Sequence, residues 1–550
     1  MNEAEKITYF AETDFRNKKT KFGIKSTDRT KHVYVIGKTG MGKSTMLENM
    51  AVQDIQNGEG MAFIDPHGGT VEKLLDYIPK DRIKDVIYFA PFDQEYPIAF
   101  NVMENVDHDK RHLVVDGLMS AFKKVWVDAW SARMEYILSN TLLALIEYPG
   151  ATLLGVNKMY SDKDFRKKVV DNISDPSTKS FWTEEFTKYT DRYTQEATPA
   201  IQNKIGQFTG NPLIRNIIGQ TKSSFDFRKA MDDKKIILIN LSKGKMGEQN
   251  ANLIGSMLIT KIYLAAMSRA DANASELQKL PNFYFYVDEF QSFANESFAD
   301  ILSEARKYKL NLTIAHQYID QMSEEVRAAV FGNVGTMIAF RVGSHDAEVL
   351  EKEFAPEFVL EDIVNLGFAQ IYLRLMINGI GSKPFSAVTL PPITPLSHSF
   401  TEEVIQSSRK AFAAPRKEVE DLIAEQMKSE TPPVAPKPRI DKGSSKFNGT
   451  KKDFKKSFTD TKSSPKAFKP KSKNPMDTVR KNEEAKMTSL KDALAKAFVF
   501  KSEPSSKAKP PEKTRIQQRF EEAATEAKIE TKEKAKPQEV PEDVLKDILK

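Results

Sequence analysis

Short apolar runs rich in β-branched and aromatic side chains recur along the first part of the chain, at His32 to Ile36, Gly60 to Asp65 and Asp85 to Ala90. Between them the apolar positions take helical spacing, as at Met46, Leu47, Met50 and Ile55 across Ser44 to Asn57. Runs that are apolar throughout suit strands covered on both faces, so the alternation predicts a parallel α/β sheet. From about residue 106 to 220 the spacing becomes helical, including the apolar stretch Tyr136 to Tyr148, and predicts an all-α insertion. Trp126 and Trp130 stand one helical turn apart there, a spacing that usually serves core packing. Strand-like runs then resume at Lys235 to Leu241, Asn282 to Val287, Leu310 to Gln317, Gly335 to Val342 and Ala369 to Met376, with a long helix from about Gly247 to Met267. Beyond about Pro391 the periodicity is lost. The expected division is a lead-in over 1–30, an α/β unit split into 31–105 and 221–395, the insertion over 106–220, and a Lys/Pro/Ser-rich tail over 396–550 for which disorder is expected.

The junction after the first strand carries the chemistry. Residues Gly37, Lys38, Thr39, Gly40, Met41, Gly42, Lys43, Ser44 and Thr45 form a complete G-x-x-x-x-G-K-[ST] loop between a predicted strand and a predicted helix. Backbone N–H groups of such a loop form an anion nest that opens onto a helix N-terminus, so the loop grips polyphosphate. Lys43 would reach the β- and γ-phosphates, and the Ser44 hydroxyl would ligate magnesium. ATP and Mg2+ are the expected cofactors.

The run Asn282 to Val287 ends in Asp288 and Glu289, the pattern of a Walker B strand. Buried strands seldom end in paired acids unless a cation or a reaction uses them. Asp288 is the expected magnesium-side ligand, and Glu289 is placed to orient or deprotonate water, which argues for hydrolysis. Gln317 ends the next strand within reach of a γ-phosphate or the lytic water, while its neighbour His316 reads as a packing residue. Arg306, in Glu304 to Tyr308, is either a solvated surface charge or a group reaching a neighbouring subunit's nucleotide. Asp65, in Asp65 to Gly69, either shapes the nucleotide site or closes a turn; Asn333 either ends a helix or contacts substrate. A guanine-specific reading is disfavoured, because Asn157-Lys158-Met159-Tyr160 lacks the aspartate of an N-K-x-D motif.

Taken in order, the 37–45 loop, Asp65 to Gly68, Val287 to Phe290, Glu304 to Tyr308, Ala315 to Gln317 and Phe331 to Thr336 resemble the HerA/FtsK superfamily of DNA-pumping ATPases. Within it the sequence is most similar to conjugative coupling proteins of the TraD/TraG type, over about residues 20 to 395. The resemblance implies a RecA-like P-loop NTPase sheet with an inserted all-α domain at the mouth of the ring, a homohexamer, DNA as the track, and ATP hydrolysis as the drive. It also implies a glutamine sensor at Gln317 and an arginine acting across subunits, for which Arg306 matches in position and Arg341 is a second candidate. Coupling proteins of this type carry membrane helices ahead of the loop, whereas here 36 residues rich in charge precede Gly37. No run reaches the ~18 to 20 consecutive apolar residues of a spanning helix; the nearest, Ala251 to Met267, includes Asn252, Gly255 and Lys261 and reads as a buried core helix. The expectation is a cytoplasmic motor that meets the membrane, or a secretion or conjugation machinery, through a partner.

Charge is unevenly shared. Residues 401–550 hold 35 Lys/Arg against 25 Asp/Glu, a net +10, so residues 1–400 carry about −4 within the chain's +6. Bulk charge therefore gives no argument for DNA binding by the α/β unit. In the tail, Lys437 to Arg480 places 14 Lys/Arg against 4 Asp among Phe447, Phe454, Phe458 and Phe468, a pattern suited to single-stranded nucleic acid or to a solvated spacer. Amphipathic pieces at Ser489 to Val499 and Val540 to Leu549 suit a protein partner. With no cysteine, disulfides, cysteine-ligated metals and thiol nucleophiles are excluded. Two alternatives to a DNA translocase stand: a protein-pumping secretion ATPase, and a nucleotide-switched scaffold that recruits partners through the tail.

Overall fold

The computed structural model describes residues 6–14, 18–104, 106–126, 130–189, 191–294 and 296–428, all within one compact unit. Thirteen strands occur among them: β1 (Ile7–Glu12), β2 (Lys21–Lys25), β3 (Val33–Ile36), β4 (Gly60–Asp65), β5 (Val86–Phe89), β6 (Ile236–Asn240), β7 (Phe283–Val287), β8 (Leu310–His316), β9 (Thr336–Ala339), β10 (Gln370–Arg374), β11 (Met376–Ile377), β12 (Ile380–Gly381) and β13 (Phe385–Thr389). Eleven form one sheet in the order β2-β1-β13-β10-β9-β3-β8-β7-β4-β6-β5. From β9 to β5 every neighbour is parallel. From β10 to β2 every pairing is antiparallel. The fold is thus the expected α/β sheet with an antiparallel extension.

The apolar runs of the parallel strands divide by alternation between two cores. Val33, Val35, Met61, Phe63, Tyr284 and Tyr286 face the layer that holds Met46, Leu47, Met50 and Ile55 of the helix Lys43–Gln56. Tyr34, Ile36, Ala62, Ile64, Phe283 and Phe285 face the other, which holds the helix Glu248–Met267 and the inserted helices. Every position of β3, β4, β6, β7 and β9 is buried, as strands covered on both faces require.

Among the described residues from Arg111 to Ile218 the regular elements are helices, as expected of the insertion, and they share a core with one sheet face. The helix Arg111–Val125 crosses Glu248–Met267 at Gly117, where a Cβ would stand 2.5 Å from Thr260 Cγ2. Trp126 and Trp130 both pack partly buried against that core, Trp126 stacking on Phe122 at 5.4 Å between centroids.

Two boundaries differ from expectation. The lead-in is sheet: β1 and β2 form a hairpin that joins β13. Their patterns alternate with partial exposure over five or six residues, too short to stand out in a charged segment. The expected tail also begins too early, because residues 401–427 form helices Thr401–Phe412 and Arg416–Met427. Each buries only a few side chains, Val404 and Ser408 in one and Val419 and Ile423 in the other, so their periodicity is faint. Ser408 accepts from the Tyr88 N–H at 2.9 Å and Arg409 pairs with Asp93 at 2.7 Å, fastening the first helix beside β5. The tail from residue 429 on, with its basic aromatic stretch and both amphipathic pieces, lies outside the described residues.

Candidate nucleotide site

Parallel strands deliver their C-terminal ends to one edge of a sheet, and the site gathers there. β3 lies between β8 and β9, and the 37–45 loop leaves β3 at that edge. The Gly37 N–H donates to the His316 carbonyl at 3.3 Å and the Lys38 N–H to the Arg341 carbonyl at 2.8 Å, so both flanking strands hold the loop. Gly40 and Gly42 have φ of 78° and 113°, a region L-residues avoid. A Cβ at Gly37 would stand 2.5 Å from Phe340 Cβ. The helix starts at Lys43, so Lys43, Ser44 and Thr45 form its first turn.

Lys43 is 5% exposed and its ammonium donates to the carbonyls of Gly37 and Lys38. Burial pushes its pKa down, opposed by the nearby carboxylates of Glu289 and Asp288. The Ser44 hydroxyl donates to Asp288 Oδ2 at 3.2 Å. Asp288 follows β7, and burial, with Glu289 and Asp65 close by, pushes its carboxyl up to about 7. A hydroxyl and a carboxylate on facing elements are hard oxygen donors that fit a divalent cation, whose charge would favour the ionised carboxylate.

Glu289 sits in the left-handed region at φ 48°, turning its side chain back along the edge. Its carboxylate accepts from Gln317 Nε2 and from Gln291 Nε2, each at 2.6 Å. Gln317 in turn accepts from the Thr39 hydroxyl at 2.8 Å. A continuous chain of hydrogen bonds therefore runs from the phosphate loop through the end of β8 to the second acid of the pair.

The remaining candidates separate cleanly. His316 is fully buried between Tyr34 and Phe290, and burial, with Lys43 adding to it, lowers its pKa to about 3: it packs, as expected. Asp65 does both, closing a turn by accepting from the N–H groups of His67 at 2.7 Å and Thr70 at 2.8 Å while its charge helps to raise the Asp288 carboxyl. Asn333 ends the helix Glu324–Asn333, its amide donating to the Ala329 carbonyl. Arg306 is exposed on the turn Ala305–Tyr308 that leads into β8, at the opposite edge of the sheet from Gln317. The seven residues of β8 separate the two by about 20 Å at ~3.3 Å per residue, so Arg306 does not meet this site within one chain. Arg341 follows β9 at the site's own edge, where its carbonyl holds the loop.

Gln291 and Lys124, which no sequence pattern marks, also lie at the acid pair. Lys124, in the last turn of the inserted helix Arg111–Val125, donates to the carbonyls of Gln291 and Ala294 just after the acid pair. Burial, then Lys243, brings its pKa down to about 8. Nothing in its local sequence announces that contact. Two cavities of about 350 and 410 Å³ lie elsewhere, lined for example by Glu104 and Lys261 in one and by Lys158 and Gln426 in the other, and neither touches the loop.

The sheet, the loop and the acid pair define a chain of the P-loop NTPase class. Residues 19–369 match the family model described as the type IV secretion-system coupling protein DNA-binding domain, and the chain belongs to that family. Among solved structures it is similar to the plasmid coupling protein TrwB in complex with ADP and Mg2+, at 15% identity and a TM-score of 0.51, over 72% of this chain and 98% of that one. It is also similar to the unbound bacterial conjugative coupling protein TrwB lacking its N-terminal segment, at 14% identity and a TM-score of 0.50, over 72% and 89%. At such identities the likeness is one of fold. No curated protein sequence matches the chain.

Proposed function

We propose that the chain is an ATP-driven DNA translocase of the coupling-protein type, acting as a homohexameric ring. The Thr39–Gln317–Glu289 chain supports the hydrolytic part of this reading, because it ties the phosphate loop to a carboxylate that could act as general base, and the match to a coupling-protein DNA-binding domain supports the DNA part. The loop residues Gly37 to Thr45 would bind the phosphates of ATP, with Lys43 on the β- and γ-phosphates, and Ser44 with Asp288 would hold Mg2+. Magnesium supplies charge neutralisation to the phosphates when bound. Glu289 would orient and deprotonate the attacking water, and Gln317 would report the γ-phosphate. TrwB structures with ADP and Mg2+ and with an ATP analogue support these cofactors. Arg306, exposed at the far edge, suits a role at the nucleotide of the next subunit, where a positive charge would stabilise the transferring phosphoryl group. Among the described residues one stretch, Glu248–Asp271, is long and apolar enough to cross a membrane, and 67% of its apolar window is buried in the fold. A cytoplasmic motor reaching the secretion machinery through a partner accords with this.

The test is ATP hydrolysis by the full chain with and without single- and double-stranded DNA, with Lys43→Ala as the blank. DNA-stimulated turnover that Lys43→Ala abolishes is expected. Turnover indifferent to both DNA forms would favour a protein pump, and nucleotide binding without turnover would favour the switched scaffold.

A further inference from the structure

The sheet order gives the nucleotide site two flanks. Glu289 and Gln317, at the ends of β7 and β8, lie on one side of β3, and β9 and β10 lie on the other. A nucleotide whose γ-phosphate points toward Glu289 therefore extends its base toward β9 and β10. Because β10 runs antiparallel to β9, its first residue lies at the same edge as the loop. The segment leading into it, Leu366 to Ala369, is pinned there. The Ala369 N–H donates to the Met41 carbonyl at 3.2 Å, and the Ala369 carbonyl accepts from the Thr389 N–H at 2.8 Å. Ala369 has φ 61°, a conformation a non-glycine residue holds only when its surroundings enforce it. The Gly367 N–H donates to the Gln370 side chain at 2.7 Å, closing the other end. Between these anchors Phe368 is 73% exposed, a large apolar ring on a fixed backbone beside the phosphate loop. Phe340 and Phe290 near the loop are buried, and Tyr318, 42% exposed, follows Gln317 on the γ-phosphate flank.

We propose that Phe368 is the nucleobase platform, on whose face the purine of a nucleotide held by the Gly37–Thr45 loop stacks. The proposal rests on the nucleotide reading above and adds the recognition of the base. A ring face attracts either purine, so adenine and guanine nucleotides gain alike.

The test compares Kd values of the full chain and of Phe368→Ala for ATP, GTP and inorganic tripolyphosphate, each with Mg2+. Expected is a loss of about 5- to 150-fold for both nucleotides, the span of one base–aromatic stack, with tripolyphosphate unchanged. Phe368→Trp should restore nucleotide affinity, and its fluorescence should respond to ATP but not to tripolyphosphate. Unchanged ATP affinity in Phe368→Ala would overturn the platform, as would a parallel loss for all three ligands. So would unchanged ATP affinity with lost DNA stimulation, which would make Phe368 a DNA contact. A parent chain that binds neither ATP nor tripolyphosphate would instead remove the nucleotide reading itself.

Discussion

The two halves of the sheet obey different rules. Its seven parallel strands bury both faces and gather the phosphate loop, the acid pair and Gln317 at one edge. Its four antiparallel strands are half exposed, as in the patterns of β1, β2, β10 and β13, and contribute none of these groups. The candidate groups concentrate in the parallel half because parallel strands aim their C-terminal ends, and the helix N-termini that follow, the same way. The antiparallel half braces the parallel one instead. Its clearest bond to the other half is Arg29, just after β2, which pairs with Asp54 on the helix behind the loop at 2.7 Å, donates to Tyr286 of β7 and to Thr8 of β1, and lies 3.8 Å over the Tyr284 ring. Both charges of that pair are 2% exposed. Burial works against the charged guanidinium, and Asp54 and Tyr286 outweigh it, raising the Arg29 pKa.

The largest expected effect isolates the parallel half: Glu289→Gln should cut turnover by about 10²- to 10⁴-fold while ATP stays bound, read by steady-state hydrolysis and equilibrium binding. Hydrolysis at the parent rate would remove Glu289 from the chemistry. If Arg306 acts across subunits, mixing Glu289→Gln with inactive Arg306→Ala chains should recover some turnover.

Next, Arg29→Met strands Asp54 in the core and should cost about 3–5 kcal/mol in denaturant unfolding, lowering the stability of both halves together. A loss within experimental error would show the halves to be held by other contacts.

Gly23→Ala tests the antiparallel half alone. Its Cβ would stand 2.1 Å from the Thr8 carbonyl oxygen, so the β1–β2 hairpin must shift. A cost of about 1–3 kcal/mol with ATP affinity unchanged is expected.

The smallest effect is a pH dependence confined to the layer over the parallel half. Lys261, on the helix Glu248–Met267, donates to the carbonyls of Val102 and Glu104, and burial brings its pKa down to about 8 against opposing carboxylates. The folded chain then binds fewer protons than the unfolded one between about pH 8 and the ordinary lysine value of ~10.4. Stability relative to Lys261→Met should therefore rise as pH increases through that window; a flat difference would mean the ammonium is not held in a low-dielectric site.

The parallel strands were legible because continuous burial writes an unbroken apolar run, and β4 appears in the sequence as Gly60 to Asp65, its observed span. The loop was legible because its φ values demand glycine at Gly40 and Gly42. β1, β2 and β13 were not, since five or six residues with one half-exposed face resemble any mixed segment. The helices at 401–427 were missed for a similar reason: two buried side chains in each leave little periodicity to see.

By itself, then, the sequence determined the α/β class, the phosphate loop, the acid pair and the glutamine, because each is a local requirement of strand, turn or charge. Only the tertiary structure decided what stands beside them. The Gln317–Glu289 bond and Phe368 beside Met41 depend on strand order, and Lys124 reaching the turn after the acids depends on how the inserted helix packs. Strand order joins residues far apart in the chain, and its physical cause, which faces bury against which, is not written in any one segment.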